Sequence, residues 1–412
     1  MVEGYVKKIY NSLQVLVRED IAAACPDDDL SRFCASLFAE PPVERLIKKG
    51  AYKTMYRSEL NTNPCIIKTY KNKGLVGMLK SAALPSRARQ EFTAAAYIHG
   101  QDILTAAPLM LAEKKTLGMV RDSAVVLEFI EDAQELREFF FYDRSILPTE
   151  RHRVAYEFGR LTAAIFQKGI FQYDFALNNF LIRREKDGFG LYFIDFERVR
   201  LKSSVTREQK IDVMARLGRV GAEISLKDRL RFLRGYLAQE PGFAKSLHAA
   251  AAEMIAATVT AIHNDRNRGR LTSIYTHARY DRLQQAERTG LYRKGTDVPV
   301  LLSAVAAISG REPVGQLVIR HEGKSQAMRA VYLEPREAED VWAALTALKL
   351  AGMPLALPQA LVCSEITGCL VLDPSLPAQC NRFFTAGSRG ALFVEHHFPD
   401  EITLLKSLLA KM

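Results

Sequence analysis

Residues 169–197 read GIFQYDFALNNFLIRREKDGFGLYFIDFE, from Gly169 to Glu197, and this stretch decides the fold. A short apolar strand, Ile170 and Phe171, leads to an acid, Asp174. Asn179 follows five residues later, and then a second apolar run, Phe180 to Ile182. A charged, glycine-bearing turn from Arg183 to Gly190 enters the strand Leu191 to Ile194, and Asp195 stands at its end. An isolated D-x4-N would be an ordinary solvent-facing hairpin. Here both acids close apolar strands, and a lysine-bearing strand and a helix lie upstream at suitable distances. An acid, an amide and a second acid beyond a hairpin suit phosphoryl transfer from a magnesium nucleotide. Asp174 can accept the proton of the acceptor hydroxyl, while Asn179 and Asp195 supply hard oxygen ligands to the metal that bridges the phosphates.

These residues resemble the catalytic and metal-binding loops of the protein-kinase-like superfamily, and within it the lipopolysaccharide kinase family, over about Lys48 to Leu237. The resemblance implies a two-lobed α+β fold, ATP and Mg2+ as cofactors, and a sugar of the lipopolysaccharide inner core, a heptose or Kdo, as acceptor. It implies that Lys68, in Cys65-Ile-Ile-Lys-Thr-Tyr, contacts the α- and β-phosphates. Glu91, the one acid of the helix Ser86 to His99, would pair with that lysine. The backbone of Glu128, Phe129 and Ile130 would be the hinge that holds adenine, and Asp212 would brace the catalytic loop. Two departures stand out. Gln172 and Tyr173 replace the His-Arg or His-Gly of the family pattern, and residues 195–197 read Asp-Phe-Glu where protein kinases read Asp-Phe-Gly. The first loop holds one glycine, Gly50, so no glycine-rich cradle is visible, and phosphate holding would rest on backbone amides near Lys49 to Lys53. Val199 to Lys210 is too short for a long regulated activation segment.

Composition narrows the class. The chain has 412 residues, 48% hydrophobic and 25% charged, which suits a globular protein of two or three domains. No apolar run approaches the length of a membrane span, and Lys7, Lys8, Arg18, Glu19 and Asp20 interrupt any signal-peptide pattern. The six cysteines contain no C-x-x-C pair, which argues for a reduced, cytoplasmic compartment. The net charge of +10 comes without a recognisable nucleic-acid module. A basic surface equally suits an acidic glycolipid or the anionic leaflet of a membrane. Charge alone does not choose between them; the resemblance implies the lipopolysaccharide core or another glycolipid acceptor as partner, with peripheral association at the cytoplasmic membrane face, and no nucleic acid is expected.

Four segments are expected: an N-terminal helical segment (1–45), a kinase-like N-lobe (46–132), a helical C-lobe (133–290) and a further C-terminal domain (291–412). In the first, Asp29 would cap a helix bearing Phe33, Leu37 and Phe38. In the third, Glu150 to Lys168 is an amphipathic helix with Val154, Phe158, Leu161 and Ile165 on one stripe. The arginines at 216, 219, 229, 231 and 234 read as a solvated helix face, and His263 and His277 as surface residues. The fourth would hold strands at Val298 to Ala304, Gln316 to Arg320, Ala327 to Leu333 and Cys369 to Asp373, and a helix at Pro335 to Ala351. Residues 351–361 match 101–111 in pattern, with Phe92 opposite Trp342 and Pro108 opposite Pro358. This resembles a degenerate second N-lobe in which Lys68 maps near Ala330 and Glu91 near Val341, and no D-x4-N follows. Two alternatives stay open at this point: another small-molecule phosphotransferase of the same fold (sugar, aminoglycoside or choline), and a nucleotide- or partner-binding pseudokinase.

Overall fold

The computed structural model describes residues 3–71, 84–116, 119–141, 143, 145–218, 224–247, 249–251, 253–254, 257–258, 280–285, 288–293, 295–308, 314–350, 360–364, 367–385 and 399–411. Two compact units divide the chain: Met1–Ile146 with Arg160–Thr206, and Leu147–Gly159 with Arg207–Met412.

The first unit carries a sheet of seven strands, β1 (Tyr5–Tyr10), β2 (Leu13–Arg18), β3 (Leu46–Lys49), β4 (Lys53–Leu60), β5 (Asn63–Lys71), β6 (Pro108–Thr116) and β7 (Met119–Glu128). They lie in the order β1-β2-β6-β7-β5-β4-β3, antiparallel throughout. The first 45 residues are thus not all helical, as expected, but open with a strand hairpin. In β2 the residues Leu13, Val15 and Val17 are buried in strict alternation, the period of a strand and not of a helix. Helices α1 (Glu19–Ala24) and α2 (Asp27–Ser36) follow. Helix α2 begins two residues before Asp29, behind Pro26, so Asp29 lies in the first turn and does not cap it. Its charge still favours the helix there by opposing the dipole. Leu30, Cys34 and Leu37 are buried with Val15, Val17, Ile67 and Val126 in one apolar core on this side of the sheet. Strands β4 and β5 turn through Asn61 and Thr62, both at positive φ (48° and 65°), the mirror-image two-residue turn that matches strand twist.

Helix α3 (Arg87–His99) is clipped at its start. Ser86 accepts the Arg89 N–H at 3.0 Å and donates to Glu113 Oε1 on β6 at 2.6 Å. Arg89 reaches the same carboxylate with Nε at 3.1 Å and Nη2 at 2.5 Å. Burial alone would push the Glu113 carboxyl up, yet these hydrogen bonds hold it below the usual carboxylate range. The helix therefore enters the sheet at a fixed point, and that point sets where Glu91 lies.

Beyond the sheet, the first unit holds β8 (Ala133–Glu135), α4 (Leu136–Phe141), the second half of α5 (Pro148–Gln167), β9 (Ile170–Gln172), β10 (Phe180–Glu185), β11 (Gly188–Phe193) and β12 (Val199–Leu201). Strands β11, β10 and β8 form a small sheet, and β12 pairs with β9. Gly169 has φ +71° where a Cβ would meet the Lys202 carbonyl oxygen at 2.0 Å, so a side chain there would part β9 from β12. Under the loop between β9 and β10 lies a phenylalanine cluster. Phe175 stands 5.0 Å from Phe180 and 5.8 Å from Phe166, and Phe193 stands 5.0 Å from Phe180 and 5.3 Å from Phe196.

In the second unit, α5 meets α7 (Leu226–Gln239), which follows α6 (Arg207–Gly218). Gly159 and Gly235 make this crossing: a Cβ on either would come within 1.9 Å of a backbone oxygen of the other helix, that of Phe232 or Tyr156. Ser225 and Asp228 form a reciprocal capping box at the start of α7, and Arg151 Nε pairs with Asp228 at 3.1 Å. Arg216 pairs with Asp212 one turn back on α6. Arg231 and Arg234 are exposed on α7, but Arg229 is desolvated by burial and donates Nε to the Ile224 carbonyl at 3.2 Å, so the expected solvated face holds for only part of the arginine run. Arg219, His263 and His277 lie outside the described residues, as do residues 351–359.

The same unit contains a second antiparallel sheet of β13 (Tyr280–Gln285), β14 (Arg288–Arg293), β15 (Val314–His321), β16 (Lys324–Leu333), β17 (Ala360–Cys363) and β18 (Gly368–Leu372). Its order is β13-β14-β17-β18-β16-β15. It takes in the hairpin from Tyr280, so it starts ahead of residue 291. The stretch expected as a strand at Val298 to Ala304 is instead the start of helix α8 (Val298–Ile308). Asp297 caps it through the Val300 N–H at 3.2 Å. Leu301 and Val305, one turn apart, are both buried against the sheet, the spacing of a helix despite three valines. Helices α9 (Pro335–Leu350), α10 (Leu376–Thr385) and α11 (Pro399–Lys411) complete the described elements.

Candidate active site

Strand β5 places Lys68 on the face of the sheet next to α3. Its Nζ donates to Glu91 Oε1, with Lys68 6% and Glu91 0% exposed. Tyr70, two residues along the same face, donates its hydroxyl to Glu91 Oε2. Burial, and then the Glu91 charge, push the Tyr70 phenol far up, so it stays a donor. A buried carboxylate that receives two such bonds is satisfied and immobile. It presents Lys68 as a fixed cation.

Asp195 stands opposite. Its Oδ1 is 3.9 Å from Lys68 Nζ and 4.0 Å from Lys53 Nζ. That oxygen is buried and has no hydrogen-bond partner among the described residues. Asp195 is also held at φ 65°, a left-handed backbone that costs energy outside glycine and persists where surroundings enforce it. The enforcement is visible. Gln172 Nε2 donates to the Asp195 carbonyl at 2.8 Å, and the Ile194 N–H to the Asn179 carbonyl at 2.8 Å. Asn179 Nδ2 donates to the Asp174 carbonyl at 3.0 Å. A chain of bonds from β9 through the loop to the end of β11 thus fixes Asp174, Asn179 and Asp195 together. Gln172, where the family pattern has histidine, supplies one link in it.

Other neighbours were not anticipated from the sequence. Arg198 Nη1 pairs with Asp174 Oδ2 at 3.2 Å. Lys53 Nζ bonds Glu197 Oε2 at 3.0 Å, and Arg87 Nη1 lies 3.7 Å from Glu197 Oε1. The Lys53–Glu197 contact joins residues 144 positions apart, so no local pattern announces it. Arg198 is the nearer miss, since it directly follows the Asp-Phe-Glu tripeptide.

The hinge is partly committed. The Glu128 N–H donates to the Ala107 carbonyl at 2.8 Å and the Phe129 N–H to Pro64 at 3.0 Å. The Glu128 carboxylate accepts the Ala107 N–H at 3.2 Å. Two of the three backbone donors expected to face adenine therefore serve the sheet. Ile130 is the one of the three whose N–H has no such backbone bond among the described residues.

The donor set fits magnesium. Among the described residues no cluster of three or more His, Cys, Asp or Glu side chains gathers for a metal. Magnesium takes one or two protein oxygens, waters and substrate phosphates, so it needs no such cage. Asp195 Oδ1, which accepts no hydrogen bond among the described residues, is acceptor capacity that a cation can fill. Asn179 has its nitrogen engaged at Asp174, so its oxygen is the end that can serve a metal.

Residues 48–236, just under half of the chain, match the model of the lipopolysaccharide kinase (Kdo/WaaP) family. Among solved structures the chain is similar to one described as WaaP in complex with acyl carrier protein, at 19% identity and a TM-score of 0.40, over 54% of this chain and 92% of that one. No curated protein matches.

Proposed function

We propose that the chain, whose residues 48–236 match the model of the lipopolysaccharide kinase (Kdo/WaaP) family, transfers the γ-phosphate of ATP to a hydroxyl of a lipopolysaccharide inner-core sugar, a heptose or Kdo. The observation that carries the reading is the buried Lys68–Glu91 pair, aimed at an Asp195 oxygen that no hydrogen bond occupies. Lys68 holds the α- and β-phosphates, kept in place by Glu91. Asn179 and Asp195 hold Mg2+, which when bound neutralises charge on the phosphate oxygens. Asp174 takes the proton of the acceptor hydroxyl as its oxygen bonds to phosphorus and the bond to ADP breaks. Arg198 orients that carboxylate from one side. Ile130 is the hinge residue that supports adenine binding by its backbone, with Glu128 and Phe129 shaping the strand end before it.

The net charge of +10 supports an anionic acceptor. It also supports work at the cytoplasmic membrane face, and no described helix is long and apolar enough to cross a membrane. The residues from Tyr280 onward are a degenerate second N-lobe. Its sheet order β13-β14-β17-β18-β16-β15 parallels β1-β2-β6-β7-β5-β4, which supports that reading. Lys68 is the sixth residue of β5, and Arg329 is the sixth of β16. Arg329, next to the expected Ala330, therefore takes the lysine's place.

Turnover of Mg-ATP with a lipid-linked core acceptor, at two ionic strengths, tests the function. The expected result is phosphorylation of the acceptor sugar with a KM that rises with salt, because screening weakens capture of an anionic substrate. Activity on small soluble sugars alone would point to a different phosphotransferase.

A further inference from the structure

We propose that Lys53 is a second phosphate-binding cation of the nucleotide site, a side-chain substitute for the glycine-rich loop this chain lacks, and that Glu197 holds it in place until nucleotide arrives. The inference rests on the kinase reading above and adds a residue to it. The turn between β3 and β4 contains one glycine, Gly50, and its N–H is spent on the Lys53 carbonyl at 2.8 Å. A phosphate cradle needs several successive backbone N–H groups that face one point. This tip closes on itself instead.

Lys53 is the first residue of β4, and its side chain runs toward the loop after β11. Its Nζ and that of Lys68 flank one oxygen, Asp195 Oδ1, at 4.0 and 3.9 Å. One of these two ammonium groups is the expected phosphate lysine; the other, on the neighbouring strand β4, reaches the same carboxylate oxygen at nearly the same distance. Lys53 Nζ also lies 5.5 Å from the Tyr70 ring centroid, and the Tyr70 hydroxyl is fixed by Glu91. Lys53 therefore lies, half-buried, beside the buried Lys68, Glu91 and Tyr70. Glu197 accepts its bond at 3.0 Å and faces Arg87 at 3.7 Å. When phosphate oxygens enter beside Asp195, they offer Lys53 a stronger partner than a carboxylate that Arg87 already shares. The glutamate at 197, where protein kinases have glycine, thereby acquires a use.

Isothermal titration of the full chain with Mg-ATP and with adenosine separates phosphate holding from structural support. Lys53→Met should weaken Mg-ATP about tenfold or more while moving adenosine by no more than about twofold, the loss of one charge-assisted contact. Lys53→Arg should keep most of the affinity, and Glu197→Gln should bind Mg-ATP at least as tightly as the unaltered chain. Unchanged Mg-ATP binding in Lys53→Met would overturn the proposal alone. So would an equal loss of ATP and adenosine, or a Glu197→Gln loss as large as that of Lys53→Met, since each marks a structural pair. An unaltered chain that binds no Mg-ATP would overturn this proposal and the kinase reading together.

Discussion

At position 172 a glutamine does the work of a link between two loops, with its Nε2 on the Asp195 carbonyl and its own bulk buried. Asp174, Asn179, Asp195, Lys68 and Glu91 were legible because each sits in a local pattern: an acid at a strand end, an amide five residues on, a lysine in a strand, one acid in the next helix. Lys53 was not, because chain folding alone brings it to the site, and Glu197 and Arg198 stand beside Asp195 in sequence without a pattern that assigns them partners. From this geometry Asp195→Ala should abolish magnesium-dependent nucleotide binding, since it removes the carboxylate whose Oδ1 has no hydrogen-bond partner among the described residues. Asp174→Ala should leave nucleotide binding near normal and lower turnover by roughly 100-fold or more, the scale of a lost general base. A thermal-shift titration with Mg-ATP and a turnover assay read the two effects separately. Full turnover in Asp174→Ala would remove it from the chemistry.

Among the elements, length and periodicity decided what could be read. The long helix α5 and the hairpin β10–β11 were plain, with Val154, Phe158 and Ile165 buried along one stripe. The opening hairpin was missed because six-residue strands beside two short helices give neither period room to show. Helix α8 was missed because its valines favour strands, while its turn-spaced Leu301 and Val305 and its Asp297 cap decided otherwise. Two predictions belong here. Gly159→Ala puts a methyl 1.9 Å from the Phe232 carbonyl oxygen; the two helices must part, at a cost of about 1–3 kcal/mol or more. Calorimetry should show a lower Tm, and an unchanged Tm would mean the crossing is looser than drawn. The second concerns acid. Glu113 has a depressed pKa in the folded chain, so its bonds to Ser86 and Arg89 stabilise fully above the ordinary carboxylate range and less as pH falls through the folded value. Glu113→Gln should therefore destabilise at neutral pH and flatten the acid limb of the stability curve, measured by denaturant melts across pH.

On the scale of the whole molecule, the residues proposed for catalysis all belong to the first unit, while the places that the proposed second N-lobe assigns to the lysine and glutamate hold Arg329 of β16 and Val341 of α9. On the proposed reading, a second N-lobe with Arg329 and Val341 in place of Lys68 and Glu91 keeps the strand order and the core without the ion pair. Its core is real: Trp342, Ala330, Val371 and Leu348 are fully buried. That fits a module that packs, or helps to place the acceptor, better than a second nucleotide site. Ending the chain before Tyr280 should then leave Mg-ATP affinity within a few-fold of the full chain and impair acceptor use. Titration of the shortened chain with Mg-ATP and an acceptor KM read these two effects independently. Loss of Mg-ATP binding in the shortened chain, or measurable binding by residues 280–412 alone, would show that the second lobe shares in holding nucleotide.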